Sequence, residues 1–187
     1  MEIEKLSLEG VMLVYLDRHE DERGQFTELI SENLSSLLGV GEFPQVNHSN
    51  SLPNVFRGMH LQLAPHGQGK LVFCVRGSVT DFILDVTPGS KSFGQSVSVQ
   101  LSEDSPLAIL IPSQYAHGFL AGENGAQVVY AVTDKRSVQH EISINYKSTS
   151  VAKKMQGVHP ILSTKDKSAM SLDAFSSQYV RLTEGLN

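Results

Sequence analysis

Between Val11 and about Tyr146 the chain is a succession of short apolar or alternating runs, each cut off by Gly, Pro, Asn or Asp. That spacing suits many short strands and leaves little room for long helices. The clearest run is Gln95-Ser96-Val97-Ser98-Val99-Gln100-Leu101, where apolar residues fall on one face and polar residues on the other. A period of two marks a half-buried antiparallel strand. Further strands are expected over residues 11–16, 25–30, 45–49, 56–63, 70–75, 79–86, 108–112, 127–133 and 141–146. Turns punctuate them at Asp21-Glu22-Arg23-Gly24, Pro65-His66-Gly67-Gln68-Gly69 and Pro88-Gly89-Ser90. Ser31 as N-cap, Glu32 in the first turn and Gly39 at the end predict one short helix over 31–38, and a second is expected after Lys165. Residues 147–158 read as a connecting loop before a mixed C-terminal tail. About ten strands at this spacing predict an all-β sandwich or jelly-roll β-barrel with a few short helices, mainly near the C-terminus, holding a ligand in its mouth.

At 187 residues the chain is long enough for one sizeable core, and a single domain over 1–187 is expected. Apolar residues make up 40% and charged residues 19%, which excludes extended disorder as the main state. The formal charge of -5 argues against a dedicated nucleic-acid binder, because neutralising phosphates needs clustered Lys and Arg. A local anion site is still compatible with it. The lone Cys74 lies inside Leu71-Val72-Phe73-Cys74-Val75 and reads as a small core residue in a reducing compartment. Without an N-terminal leader pattern or an apolar run near the ~20 residues of a spanning helix, a cytoplasmic protein with no membrane contact is expected.

Two strands carry most of the chemical signal. In Arg57-Gly58-Met59-His60-Leu61-Gln62, positions 58, 60 and 62 share one side, so His60 and Gln62 point together. A hairpin is expected to return with Lys70, and Asp81 to lie on the strand after that, between Val79 and Ile83 on its own face. Left unpaired in a core, such groups cost on the order of 1–3 kcal/mol each, so they either satisfy one another or face a solvated pocket. Taken singly, each has an ordinary reading: a hydrogen-bonded histidine, a solvated lysine, a tyrosine at a core edge. The functional reading rests on convergence, since His117 and Tyr130 are likewise polar tips on apolar strands. A metal site is not expected. Such barrels use a His-x-His pair, a carboxylate and a distant His, whereas this chain offers His60, Gln62, Lys70 and His117, and an ammonium in the carboxylate's place repels a cation.

These residues sit in an ordered set of segments: Glu22-Arg23-Gly24-Gln25-Phe26-Thr27-Glu28, Gln45-Val46-Asn47, Phe56 to Gln62, Gln68-Gly69-Lys70-Leu71-Val72 and Pro112 to Phe119. Tyr130, Thr133-Asp134, His140-Glu141 and Pro160 to Asp166 complete it. From about Asp21 to Asp166 the chain resembles the dTDP-4-dehydrorhamnose 3,5-epimerases of the cupin superfamily. The resemblance implies His60 as the base that removes a proton beside the sugar ketone, Asp166 as its dyad partner, and Tyr130 as the acid on the opposite face. Lys70 would stabilise the developing enolate, and no cofactor would be needed, because the ketone itself acidifies C3 and C5. Arg57 and Arg23 would grip the diphosphate of a nucleotide sugar. Phe26, Glu28, Gln45, Asn47, Gln62, Asp81, His117, Arg136, Glu141 and Lys165 would complete the binding set. An Arg fork suits phosphate oxygens. Two departures stand out: Arg136 occupies the position six after Tyr130 where the family carries an aromatic residue, and the chain has no Trp. The family is dimeric, so a homodimer with exchanged N-terminal strands is expected. Epimerisation at C3 alone, a 3,4-ketoisomerase and a non-catalytic sugar-binding cupin are the competing readings.

Overall fold

The computed structural model of the chain describes residues 2–37 and 39–184. Its strands are β1 (Glu2–Lys5), β2 (Met12–Tyr15), β3 (Arg18–Asp21), β4 (Gly24–Thr27), β5 (Gln45–Ser51), β6 (Phe56–Gln62), β7 (Lys70–Asp85), β8 (Ser96–Ser102), β9 (Leu107–Ile111), β10 (Tyr115–Val132) and β11 (Glu141–Ser143). Helices are α1 (Glu32–Leu37), α2 (Val151–Lys154), α3 (Thr164–Lys167) and α4 (Leu172–Glu184). Among the described residues nine strands form one antiparallel sheet in the order β1-β2-β9-β7-β10-β6-β11, with β5 added to β10 and β8 to β7, while β3 and β4 pair as a separate hairpin. The all-β jelly roll with helices gathered toward the C-terminus is therefore as expected. No helix among the described residues is long and apolar enough to cross a membrane.

Two connections differ from the sequence reading. The segments 70–75 and 79–86 are two arms of the single strand β7, so Lys70 and Asp81 belong to one strand. It bends at Gly77, whose φ is +70° and where an added Cβ would meet the Gly125 carbonyl oxygen at 2.2 Å. Opposite the bend, the β10 partners jump from Ala121 to Ala126. Only glycine tolerates both the positive φ and that approach. Nor does β6 fold back on β7, because β10 lies between them and pairs with both. The first half of β10 escapes a sequence reading because its glycines look like breakers. One of them, Gly118, lets the strands close: a Cβ there would stand 2.8 Å from the Arg57 carbonyl oxygen.

Alternate residues of both β7 arms point into the barrel. Val72, Cys74, Val79 and Ile83 pack with Leu101, Ile109, Ile111, Phe119 and Val128, all nearly inaccessible. Burial pushes the Cys74 thiol up to about 11, so it is a packing residue and not a nucleophile. On the outer face, Phe56, Met59, Phe82 and Leu84 pack under Tyr146, Val151, Leu172 and Phe175 of the C-terminal segment. The stretch expected as a plain loop therefore contains α2, held down by Val151 and Met155. One apolar pair four residues apart is too short to register as a period. Ser31 caps α1 as expected, accepting from the Leu34 amide at 3.1 Å, while Leu38 lies outside the described residues.

Candidate active site

The mouth of the barrel is set by a slip in register. His60 pairs with His117 and Arg57 with Phe119, so three residues on β6 span two on β10. Arg57 thereby joins His60 on the hollow, a partner that strict alternation with positions 58 and 62 did not provide. A cavity of about 570 Å³ opens there, with Arg57, His60, Lys70, His117, Tyr130 and Asp166 around it and an apolar wall of Phe56, Phe119, Ile161 and Leu162. A smaller recess of about 120 Å³ shares His60, Lys70, Tyr130, Arg136 and Glu141 and adds Gln45 and Asn47.

His60 Nε2 and Asp166 Oδ1 are 2.6 Å apart although 106 residues separate them. Asp166 sits in the first turn of α3, with its backbone amide donating to Ser163 Oγ at 3.1 Å and its Oδ2 accepting from that hydroxyl at 2.8 Å. Burial pulls the Asp166 carboxyl upward, but the hydrogen bond and charge of His60, Ser163 and Lys165 outweigh it and hold the group below its ordinary value. An ionised carboxylate in this position orients an imidazole and stabilises its protonated form. Ser163 was not singled out from sequence. The signal was there, since Ser163-Thr164-Lys165-Asp166 has the Ser-x-x-Asp spacing of a helix start.

Lys70 is buried on β7, donating to the Gln68 carbonyl at 3.2 Å. Burial pushes its ammonium down to about 8, against the upward pull of Asp81 and Glu141. Tyr130, on β10, faces Asn47 of β5. Burial raises its hydroxyl, with Arg57 and Arg136 opposing and Glu141 adding to the rise, so the phenol stays protonated until a strong base forms beside it. His117 Nε2 lies 2.8 Å from Asp81 Oδ2. Asp81 is fully buried and lines neither cavity, which corrects the expectation that it contacts a ligand: the barrel interior sealed by Val79 and Ile83 keeps it beneath the hollow.

At the rim, Glu141 accepts from Arg136 Nη2 at 3.0 Å and from Lys165 Nζ at 2.9 Å. Burial pushes the Glu141 carboxyl up, yet Lys165 and Arg136 leave it below its ordinary value. The Arg136 amide donates to Gln45 Oε1 at 3.1 Å, while Gln45 Nε2 donates to Asn47 Oδ1 at 2.7 Å. Gln62 has its amide committed to backbone: Nε2 donates to the His66 and Lys135 carbonyls and Oε1 accepts from Ser137. It holds the loop that carries Arg136. Arg57 is braced by Ser51 Oγ at 2.9 Å and the Asn50 carbonyl at 3.3 Å, and its side chain borders the hollow.

Three expected residues are not brought here. Arg23 and Phe26 line a separate surface recess on the β3–β4 hairpin, where Arg23 is paired with Asp21, and Glu28 lies exposed just beyond the hairpin. Among the described residues no group of three His, Cys, Asp or Glu side chains converges as metal ligands.

The sequence profile of dTDP-4-dehydrorhamnose 3,5-epimerase matches residues 5–174. The enzyme of that name from Shigella flexneri is 36% identical over 169 residues, spanning 89% of this chain and 93% of its own. A dTDP-6-deoxy-D-glucose-3,5-epimerase from Legionella pneumophila, solved with dTDP-4-keto-L-rhamnose, superposes with a TM-score of 0.88 at 33% identity over 95% of each chain. A 3'-monoepimerase from Streptomyces bikiniensis, solved with dTDP-quinovose, superposes with a TM-score of 0.83 at 28% identity over 95% of this chain and 90% of its own. A match over nearly the whole chain, on a barrel whose mouth gathers His60, Lys70, Tyr130 and Asp166, means that the chain belongs to the dTDP-4-dehydrorhamnose 3,5-epimerase family.

Proposed function

We propose that this protein is an isomerase that inverts C3 and C5 of a dTDP-4-keto-6-deoxyhexose. The observation that carries the reading is the His60–Asp166 pair at 2.6 Å opening on the same cavity as Tyr130 and Lys70. His60 Nε2 is held by Asp166, so Nδ1 is the nitrogen that takes the proton from the carbon beside the ketone. The C–H electron pair moves into a C=C bond and the carbonyl pair onto O4. Lys70, desolvated and cationic below about pH 8, stabilises that enolate oxygen far better than a solvated ammonium could. Tyr130 then returns a proton to the opposite face, which inverts the centre. The acidity comes from the ketone, so the sequence of steps calls for no cofactor.

Arg57 and the rim cations Arg136 and Lys165 would meet the diphosphate, and Gln45, Asn47, His117 and Glu141 the rest of the ligand. Arg23, Phe26 and Glu28 would serve only if the exposed β3–β4 hairpin reached another hollow. We therefore propose a homodimer in which each hairpin closes its partner's site; the exposure of Phe26, at 66%, supports it. A lone buried Cys74 is in keeping with a cytoplasmic enzyme. The test is proton NMR of dTDP-4-keto-6-deoxyglucose with the protein in deuterated water. Loss of both the C3 and C5 signals is expected; loss at C3 alone makes it a monoepimerase, and loss at neither overturns the assignment.

A further inference from the structure

Two aspartates are buried in the β7 arm that runs toward the C-terminal end of the strand, and they are treated differently. Asp85, 2% exposed, has both oxygens satisfied by the Thr87 amide and the hydroxyls of Ser90 and Ser92. Asp81, 0% exposed, has a single hydrogen-bond partner among the described residues, His117 Nε2, and its Oδ1 meets no donor among them. A carboxylate retained for structure is bonded as Asp85 is. One that keeps a naked oxygen among Val79 and Ile83 is costly, and an apolar side chain would fit the same interior better. What lies above Asp81 is the hollow, and the two groups it acts on, His117 and Lys70, both border that hollow.

The charge on Asp81 decides two states. A carboxylate accepts, so Nε2 of a neutral His117 carries the hydrogen, and Nδ1, which has no hydrogen-bond partner among the described residues, is left as an acceptor on a ring that borders the cavity. Lys70 is the other. The titratable and charged groups around it are Asp81 on the far arm of β7, Glu141 from β11, His60 and Arg57 from β6, His117 and Tyr130 from β10, Arg136 from the loop after β10, and Asp166 from α3, which is engaged by His60 and Ser163. Glu141 is already shared between Arg136 and Lys165, which leaves Asp81 as the counter-charge with no other cation to serve. We propose, on the reading of function above, that Asp81 is a positioning residue for the epimerisation: it fixes His117 as a hydrogen-bond acceptor for the sugar and sets an opposite charge on the strand that carries Lys70.

Asp81→Asn removes the charge at nearly constant volume, and hydrogen–deuterium exchange at C3 and C5 of dTDP-4-keto-6-deoxyglucose against pH reads the result. KM is expected to stay within roughly 3-fold and kcat to fall about 10²-fold. The alkaline limb of kcat moves down by about one pH unit, because losing the opposite charge makes Lys70 easier to deprotonate. A fall in kcat with the alkaline limb unmoved means that Asp81 only supports the fold, and the proposal is overturned. The nitrogen-15 shifts of the His117 ring in the wild-type protein test the same idea without a variant: protonation at Nε2 is expected, and a ring protonated at Nδ1 alone defeats it. A wild type that exchanges neither hydrogen would sink the functional reading, and the His117 tautomer still decides whether Asp81 holds the ring.

Discussion

The hollow contains the same chemical pair twice, built in opposite ways. His60 and Asp166 meet at the mouth, with the His60 side chain 30% exposed and both Asp166 oxygens bonded, one to the ring and one to Ser163. His117 and Asp81 meet deeper, 9% and 0% exposed, with one carboxylate oxygen bare. A base must reach its substrate and take a proton, so its partner carboxylate is fully satisfied and the ring is left open to the cavity. A support needs no access. Burial there makes one uncompensated charge act strongly on its neighbours, because little water screens it. The difference teaches that a His–carboxylate contact is not itself a catalytic signature: which side is exposed, and what else the carboxylate bonds, separates the pair proposed to act from the pair proposed to support it.

Five substitutions break or sharpen that comparison. The largest effect is expected from His60→Asn, which should lower exchange at both C3 and C5 by about 10³-fold or more, while His117→Asn should cost about 10-fold, both read by NMR in deuterated water. Equal losses would erase the distinction between the pairs. Asp166→Asn is expected to lower kcat about 10²-fold by leaving the ring unoriented. Its linkage to stability has a definite sign: the folded carboxyl titrates below its unfolded value, so it stabilises the native state above the unfolded pKa near 4 and that contribution fades as pH falls through the folded value. Acid unfolding of the variant should accordingly begin from a lower plateau at neutral pH.

Lys70→Met should also cost about 10²-fold in kcat, and yet stabilise the protein. The folded ammonium titrates near 8 against an ordinary 10.5, so keeping it charged disfavours the native state by on the order of 3 kcal/mol below pH 8. In the wild type that free energy is regained as pH rises from about 8 to 10.5. Thermal unfolding at pH 7 should show the methionine variant with the higher Tm, and a lower Tm would mean that Asp81 stabilises the ammonium more than burial harms it. The smallest effect belongs to Ser163→Ala. Losing one bond to a carboxylate that keeps His60 is worth about 1 kcal/mol, or roughly 5-fold in kcat, whereas no change would mean that the α3 backbone alone positions Asp166.

Much of this was legible in the chain. Alternation in residues 95–101, the Ser31 cap and the turns at 21–24 and 88–90 rest on local rules, and local physics holds wherever the segment lies. His60, Lys70, His117 and Tyr130 were legible because a polar residue in an apolar run is an anomaly that a core does not tolerate without reason. Their partners were not. Nothing in the pattern indicates that β10 inserts between β6 and β7, that Gly77 bends one strand into two facing arms, or that a three-for-two register slip swings Arg57 to the side of His60.

The sequence by itself determined the fold class, the polar residues at the barrel mouth and the family to which they belong, because periodicity, turn chemistry and ordered motifs are properties of neighbours along the chain. Only the tertiary structure decided that Asp166 completes His60 across 106 residues, that Gln62 at the recess also ties down the loop carrying Arg136, that Arg23 stands apart on its hairpin, and that Asp81 is fully buried. Burial and pairing between distant strands set the electrostatics of each group, and neither is a function of local sequence.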